Sequence, residues 1–416
     1  MTRRNALAAG TLLGALVLVA LHGWRGIEYW NYSEGVYAYT SRLFLHGGDL
    51  YGHIVVAQPP WQFFFGAGAL AIDDSLTFLR LAVGIVQLGA GVLAGIAVWR
   101  LTENPVATAL APALSLLMPW TLREHGALTP ELLAPVVLLG AALLAASPRT
   151  AMASGALAGV APFIKWPYAL PLIAIVLFSA APRKAILGAA IAIAVQAVAF
   201  TALFGFGLWD DSVLAQMYSG RRGLDILKGV WGQAFWSLLG LVALAAVAWW
   251  RRAEVRDSPL LKVLVALGVA MLMTVVTNYK DGTGLNVLVP VEYALVPLAL
   301  AGAVFVPNRW LGAAALVFVL AQSASLVLSP NTNTPFLYPT SERGAWGRAG
   351  SEADVEREVA KARACPPGVA YGGPPFLAFL AQRPMPDDQP DQFLPSRSSR
   401  LADVQRRMDA VQPKCA

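Results

Sequence analysis

Apolar residues come along this chain in long blocks rather than in alternation. Nearly uninterrupted apolar runs fall near residues 6–22, 76–99, 106–119, 130–146, 151–164, 166–180, 185–204, 232–250, 260–277, 285–305 and 310–328. Runs of about 15 to 20 residues or more suit helices that cross a hydrocarbon core of about 30 Å. A transmembrane β-barrel would alternate apolar and polar positions instead. The pattern therefore predicts an all-α polytopic membrane protein with about eleven transmembrane helices. Runs 151–164 and 166–180 are short and contain Pro162, Pro167 and Pro171, so a kinked or partly re-entrant pair is expected there. The first run follows Arg3 and Arg4 as a signal peptide would. No small-residue cleavage site comes after it and many more runs do, so it reads as the first anchor.

The polar connections supply an orientation. The chain of 416 residues is 57% hydrophobic and only 13% charged, where soluble domains carry about 25%. If Arg3 and Arg4 face the cytoplasm and the runs alternate, the inner turns hold Arg100, Arg149, Arg183–Lys184, Arg251–Arg252 with Arg256, and Arg309. That clustering explains the net charge of +6, and no nucleic-acid partner is expected. The expected location is the plasma (inner) membrane, with the N-terminus cytoplasmic. Outside would lie the first loop, 23–75, the 120–129 turn, the 205–231 loop, the 278–284 turn and everything from 329. Residues 1–328 thus read as a membrane domain and 329–416 as an extracytoplasmic C-terminal domain. In the latter, 352–363 suits a solvated helix, and "GVAYGGPPFLAFLAQRPMP" suits a short strand, a turn and a helix, a small α/β appendage. Its Cys365 and Cys415 are the chain's two cysteines. A disulfide is expected on the oxidising side, with two free thiols as the alternative. The acidic "MPDDQPDQF" either shapes an acceptor site or covers the membrane domain.

The first loop holds unusual chemistry: "EYWNYSEGVYAYTSRLFLHGGDLYGHIVVAQPPWQFFFGAG". An interfacial helix is expected over Glu34–Leu45, with Ser33 as N-cap and Gly47 and Gly48 ending it. A second should start at Pro59–Pro60. A carboxylate at headgroup depth can take a proton from an acceptor hydroxyl while a lipid-linked group departs. Cations would stabilise a departing phosphate, and the outward candidates are Arg123, Lys165, Arg221, Arg222 and Lys280. Lys165 interrupts the apolar stretch "APFIKWPYALPL", which marks either function or a lysine reaching the interface. Glu131 reads as a substrate contact or as the start of a helix. Asp210–Asp211 and Arg221–Arg222 read as mostly solvated. His46, His53 and His125 lie on separate loops without zinc-like spacing. A catalytic divalent cation on Glu34 with Asp73 or Asp74 is an open alternative, and no other cofactor is indicated. No P-loop or dinucleotide fingerprint occurs.

The succession S-E-G-V-Y-A-Y-x(2)-R-L-F-L-H-G-G-D-L-Y, Q-P-P-W, a Gly/Ala-rich helix and D-D-S-L-T-F-L-R-L-A-V resembles the GT-C glycosyltransferases. The nearest group is the protein-O-mannosyltransferases and aminoarabinose transferases. "HGALTPELLAPVVLLGAALLA" and "GALAGVAPFIKWPYAL" resemble the corresponding spans of that group. The likeness covers about 30–170 and is architectural beyond. It implies an inverting membrane glycosyltransferase that takes a sugar from a polyprenyl-phosphate donor and gives it to a lipid, glycan or protein acceptor outside the cytoplasm. The family's Asp-Glu pair is Ser33–Glu34 here, and the Lys that commonly precedes Pro-Pro is Gln58. The resemblance therefore implies Glu34 as first choice for the base, with Asp49 and Asp74 in reserve. Lys165, Arg123, Arg221 and Lys280 are the expected donor-phosphate ligands, and Ser33, Tyr37, Gln58, His125 and Glu131 the expected substrate contacts. A catalytically silent lipid-binding or transport relative, and a lipid-linked-glycan ligase or polymerase, remain as alternatives.

Overall fold

In the computed structural model, the described residues are 1–24, 26–27, 32–215, 217, 223–276, 285–328, 352–391, 395, 401–412 and 414–415. Each of the eleven apolar runs falls on a helix. These are α1 (Arg3–Trp24), α4 (Leu76–Thr102), α5 (Pro105–Leu116), α7 (Pro130–Ala145), α8 (Ala151–Ala158), α9 (Ala169–Phe178), α10 (Pro182–Phe204), α12 (Leu224–Trp250), α13 (Ser258–Thr274), α14 (Val289–Phe305) and α15 (Arg309–Leu328). Helices form because hydrocarbon offers an exposed peptide group no partner, so each segment must satisfy its own backbone. Among the described residues, α1, α4, α10 and the stretch Asn286–Phe305 are long and apolar enough to cross a membrane.

The breaks between helices have local causes. Ser75 Oγ accepts from Phe78 N–H at 3.2 Å to start α4, and Asn104 Oδ1 accepts from Val106 and Ala107 before Pro105 opens α5. Asp257 caps α13 in the same manner. Several basic turns meet at one end. Arg100 donates to Asp257 and to the Leu143 carbonyl, each at 2.7 Å, while Arg256 pairs with Glu103 at 2.6 Å. The first loop lies at the other end of α4.

There α2 (Tyr32–Leu45) and α3 (Trp61–Ile72) pack on each other. Helix α2 starts earlier than expected, so Ser33 sits inside its first turn and is not the N-cap. Its end follows the expected pattern. Gly47 takes φ +86°, Gly47 N–H donates to Phe44 O, and Gly48 N–H donates to Leu43 O. The 120–129 segment, expected as an outer turn, is buried. Its short helix α6 (Pro119–Arg123) is held from inside, because the Glu292 carboxylate on α14 accepts from Trp120 N–H, Thr121 N–H and Thr121 Oγ1 at 2.8–3.0 Å. Asp211 is likewise buried rather than solvated, and its Oδ2 accepts from Val56 N–H at 3.2 Å. It lies in a π-helical turn after the short helix α11 (Gly207–Trp209).

The pair α8–α9 forms a short antiparallel hairpin. It leaves and returns beside the same end of α7, where Thr150 Oγ1 donates to Leu144 O and Ala180 N–H donates to Ala145 O. Lys165 stands at its tip. The hairpin packs through small residues, since a Cβ on Gly155 would lie 1.8 Å from Ala185 O on α10.

The C-terminal segment docks onto the first loop. It comprises α16 (Glu352–Arg363), β1 (Ala370–Tyr371), α17 (Pro375–Ala381), the helix Ala402–Ala410 and β2 (Lys414–Cys415), with β1 and β2 parallel. Cys365 and Cys415 are joined by a disulfide with Cα atoms 5.9 Å apart. Four contacts fasten this unit. Tyr39 Oη donates to Arg383 O and accepts from Met385 N–H, at 2.9 and 3.1 Å. Gln389 accepts from Val55 N–H and donates to His53 O. Arg42 reaches Phe379 O and lies over the Phe379 ring, 3.7 Å from its centroid. Gly35 meets Phe376 so closely that a Cβ would fall 2.4 Å from Phe376 N. The acidic segment around Gln389 therefore clasps the loop.

Candidate functional site

Lys165 takes an extended backbone (φ −159°, ψ 130°) between two 3₁₀ turns, Ala161–Phe163 and Trp166–Tyr168. Proline inside each turn discourages a continuous helix and breaks the chain at the tip. From it, Lys165 Nζ contacts Glu131 Oε1 in the first turn of α7. Glu131 is wholly buried, and its Oε2 has no hydrogen-bond partner among the described residues. Tyr168 Oη, on the turn after Lys165, is buried and equally without a partner among them. Glu131 and Tyr37 both act on Tyr168 electrostatically.

Tyr37 comes from α2, one turn after Ser33, and hydrogen-bonds to the side chains of Ser33 and Gln58. Burial, then the charges of Glu131 and Asp391, push its hydroxyl well above its ordinary range. Thus Ser33, Tyr37, Gln58, Glu131 and Lys165, scattered over more than a hundred positions, are brought to one place. An aromatic wall stands beside them: Phe163 meets Trp166 at 5.3 Å between centroids, and Trp166 meets Trp209 at 5.5 Å.

The other expected residues are engaged elsewhere. Glu34 is wholly buried, and both its oxygens accept from Arg80, at 2.7 Å from Nε and 2.9 Å from Nη2. Asp74 binds Arg42 at 2.8 Å. Asp49 is exposed and accepts from His53 N–H at 3.1 Å, closing a tight turn. Arg123 is buried against Glu124, at 3.1 Å, and over Trp120. His125 is buried near Gly84. Arg221, Arg222 and Lys280 fall outside the described residues. No group of three or more His, Cys, Asp or Glu side chains converges as metal ligands among the described residues.

Arg80, Tyr168 and Asp391 were not singled out from the sequence. Arg80 carried a signal, an arginine inside the apolar run "LTFLRLAV". Asp391 carried one as part of the acidic segment "MPDDQPDQF", whereas Tyr168 carried none, because only the folded chain sets it beside Glu131 and Tyr37.

No family model and no curated protein matches the chain. Its fold does match solved structures. ArnT from Cupriavidus metallidurans bound to undecaprenyl phosphate superposes with a TM-score of 0.64 and 17% identity, over 90% of this chain and 84% of that one. The same protein in the apo state gives 0.65 and 18%, with the same coverage. ArnT is an aminoarabinose transferase of the GT-C superfamily. This chain therefore shares the fold of ArnT.

Proposed function

We propose that this protein is a membrane glycosyltransferase that moves a sugar from a polyprenyl-phosphate donor to an acceptor outside the cytoplasm. The observation that carries the reading is Lys165, a cation set at the tip of a membrane hairpin, beside an aromatic wall and against buried Glu131. A lipid phosphate needs that combination: apolar surface for the chain and a desolvated cation for the head. The shared fold with ArnT, one of whose structures holds undecaprenyl phosphate, supports it. In transfer, the acceptor oxygen forms its bond to the anomeric carbon as the bond from that carbon to the phosphate oxygen breaks, and the acceptor hydroxyl's proton passes to the departing phosphate. Lys165 answers the charge that gathers on the leaving phosphate. The basic ends of α4, α8, α10, α13 and α15 are assigned to the cytoplasm, with the N-terminus there and the site and C-terminus outside.

Glu34, with both oxygens on Arg80, serves in this reading to anchor α2 rather than to face an acceptor. That same observation favours a second reading, binding of the lipid-linked sugar without transfer, since Asp74 and Asp49 are engaged as well. The test is sugar transfer by purified protein in lipid, offered a panel of polyprenyl-phosphate sugars, beside Lys165→Met. Turnover that falls at least 10-fold in Lys165→Met supports the assignment. Binding of donor by the wild type without turnover selects the second reading, and absence of both rejects the two together.

A further inference from the structure

Buried polar atoms are almost always hydrogen-bonded, so those left over call for a partner, an ordered water or a ligand group. Around the junction of α7 and the hairpin tip, three such atoms occur, Thr129 Oγ1, Glu131 Oε2 and Tyr168 Oη, and Glu131 acts on Tyr168 electrostatically. All three residues are at most 2% exposed, and none has a partner for these atoms among the described residues. All three can accept a hydrogen bond, and the most demanding is a carboxylate oxygen whose twin already receives Lys165. Tyr37, with its own polar ties to Ser33 and Gln58, faces the same group. The charge count is as informative as the hydrogen bonds. Among the described residues, the carboxylates of Glu131 and Asp391 both act on Tyr37, and the Lys165 ammonium that pairs with Glu131 must also serve the donor phosphate.

We propose that Glu131 Oε2 and Tyr168 Oη, with Thr129 Oγ1, form the subsite for the donor's sugar ring, and that it takes a sugar offering hydroxyl or ammonium donors while rejecting an anionic one. The inference rests on the glycosyltransferase reading and adds which part of the donor this cluster contacts. A sugar hydroxyl or ammonium group donates to Glu131 Oε2 and fills the unmet capacity. A uronate would set another carboxylate beside Glu131, whose cation partner among the described residues, Lys165, must also answer the phosphate. Like charges at such separations in a buried site are strongly disfavoured. The site thus discriminates by charge before it discriminates by ring shape. Glu131 and Tyr168 are binding residues in this assignment, and Lys165 is the one group that touches both sugar-side carboxylate and phosphate.

The experiment uses the full chain in lipid nanodiscs and measures binding of three probes: undecaprenyl phosphate without sugar, undecaprenyl-phosphate mannose, and undecaprenyl-phosphate glucuronate. Wild type should bind the mannose donor at least 10-fold more tightly than the glucuronate donor. Glu131→Gln should erase most of that preference, and Tyr168→Phe should weaken the mannose donor about 5-fold, the worth of one hydrogen bond. Tyr168→Phe should leave the sugar-free lipid within about 2-fold, which also shows that it folds. Equal affinity of wild type for mannose and glucuronate donors overturns the subsite, as does Tyr168→Phe weakening all three probes alike. If the wild type binds none of the probes, the glycosyltransferase reading itself fails. If it binds the sugar-free lipid but shows no preference, only the subsite fails.

Discussion

Glu34 and Arg80 form a bidentate pair in the buried interface between α2 and α4, with both carboxylate oxygens within 2.9 Å of guanidinium nitrogens. Arg80 also donates to Gly26 O at 3.0 Å and lies 5.7 Å from the Phe376 ring centroid. One ion pair therefore joins an interfacial helix, a membrane helix and the docked C-terminal segment.

Removing either partner should leave the other buried and uncompensated, at a cost of about 3–5 kcal/mol. Glu34→Gln and Arg80→Met should each lower the thermal midpoint sharply in detergent. The paired replacement Glu34→Leu with Arg80→Met should recover much of the loss, because it buries no lone charge. A Glu34→Gln protein with unchanged midpoint and abolished transfer would instead return Glu34 to the role of base.

The hairpin should be intolerant of added bulk where it meets α10. Gly155→Ala places a Cβ 1.8 Å from a backbone carbonyl that cannot rotate away, and overpacking of this sort costs about 1–3 kcal/mol. Gly68 on α3 has nothing within 4 Å of its would-be Cβ, so Gly68→Ala should be neutral or slightly stabilising. Thermal midpoints of the two variants, measured side by side, check the contrast. Since Gly155 positions the segment that carries Lys165, donor binding should weaken in the first and not in the second.

The disulfide Cys365–Cys415 closes a separation of 50 residues. A loop of that length corresponds to about 4 kcal/mol of lost unfolded-state freedom. Reduction should therefore release β2 from β1 and make the C-terminal segment sensitive to protease, while the membrane helices keep their helicity. Limited proteolysis with and without dithiothreitol, followed by mass spectrometry, reads this directly. Equal cleavage in both states would mean that the clasp onto α2 suffices alone.

The clasp should also loosen at high pH. Burial is the main reason that the Tyr39 hydroxyl is pushed up to about 12. A group with a raised folded value contributes its full stability below its unfolded value, near 10, and loses it as pH rises through the folded one. Docking of the C-terminal segment should hold to about pH 10 and fail progressively toward about 12. Tyr39→Phe should weaken docking by about 1 kcal/mol at neutral pH, through the lost bonds to Arg383 O and Met385 N–H, and should flatten this alkaline transition. Protease sensitivity measured across that range checks both.

Much of the architecture was readable in one dimension. Each apolar run became a helix because the bilayer acts on every segment separately, through its length and its unmet backbone groups. The helix stops were equally local, written in Ser75, Asn104 with Pro105, Asp257 with Pro259, and Gly47. The interruption of the apolar stretch at Lys165 was visible too, as a charge with prolines on both sides. What the chain's order could not show was which polar groups meet. Lys165 and Glu131 are 34 residues apart and Arg80 and Glu34 are 46 apart, and each pair is made by the packing of helices that share no local pattern. The same packing buried 120–129 beneath Glu292 and brought Asp391 beside Tyr37. Hydropathy is a property of a segment and its solvent, whereas a site is a property of contacts between segments. The sequence alone therefore determined the spans, their ends and a short roster of polar residues. Only the tertiary structure decided that Glu34 would be spent on Arg80 while Glu131, Tyr168 and Lys165 would face one another.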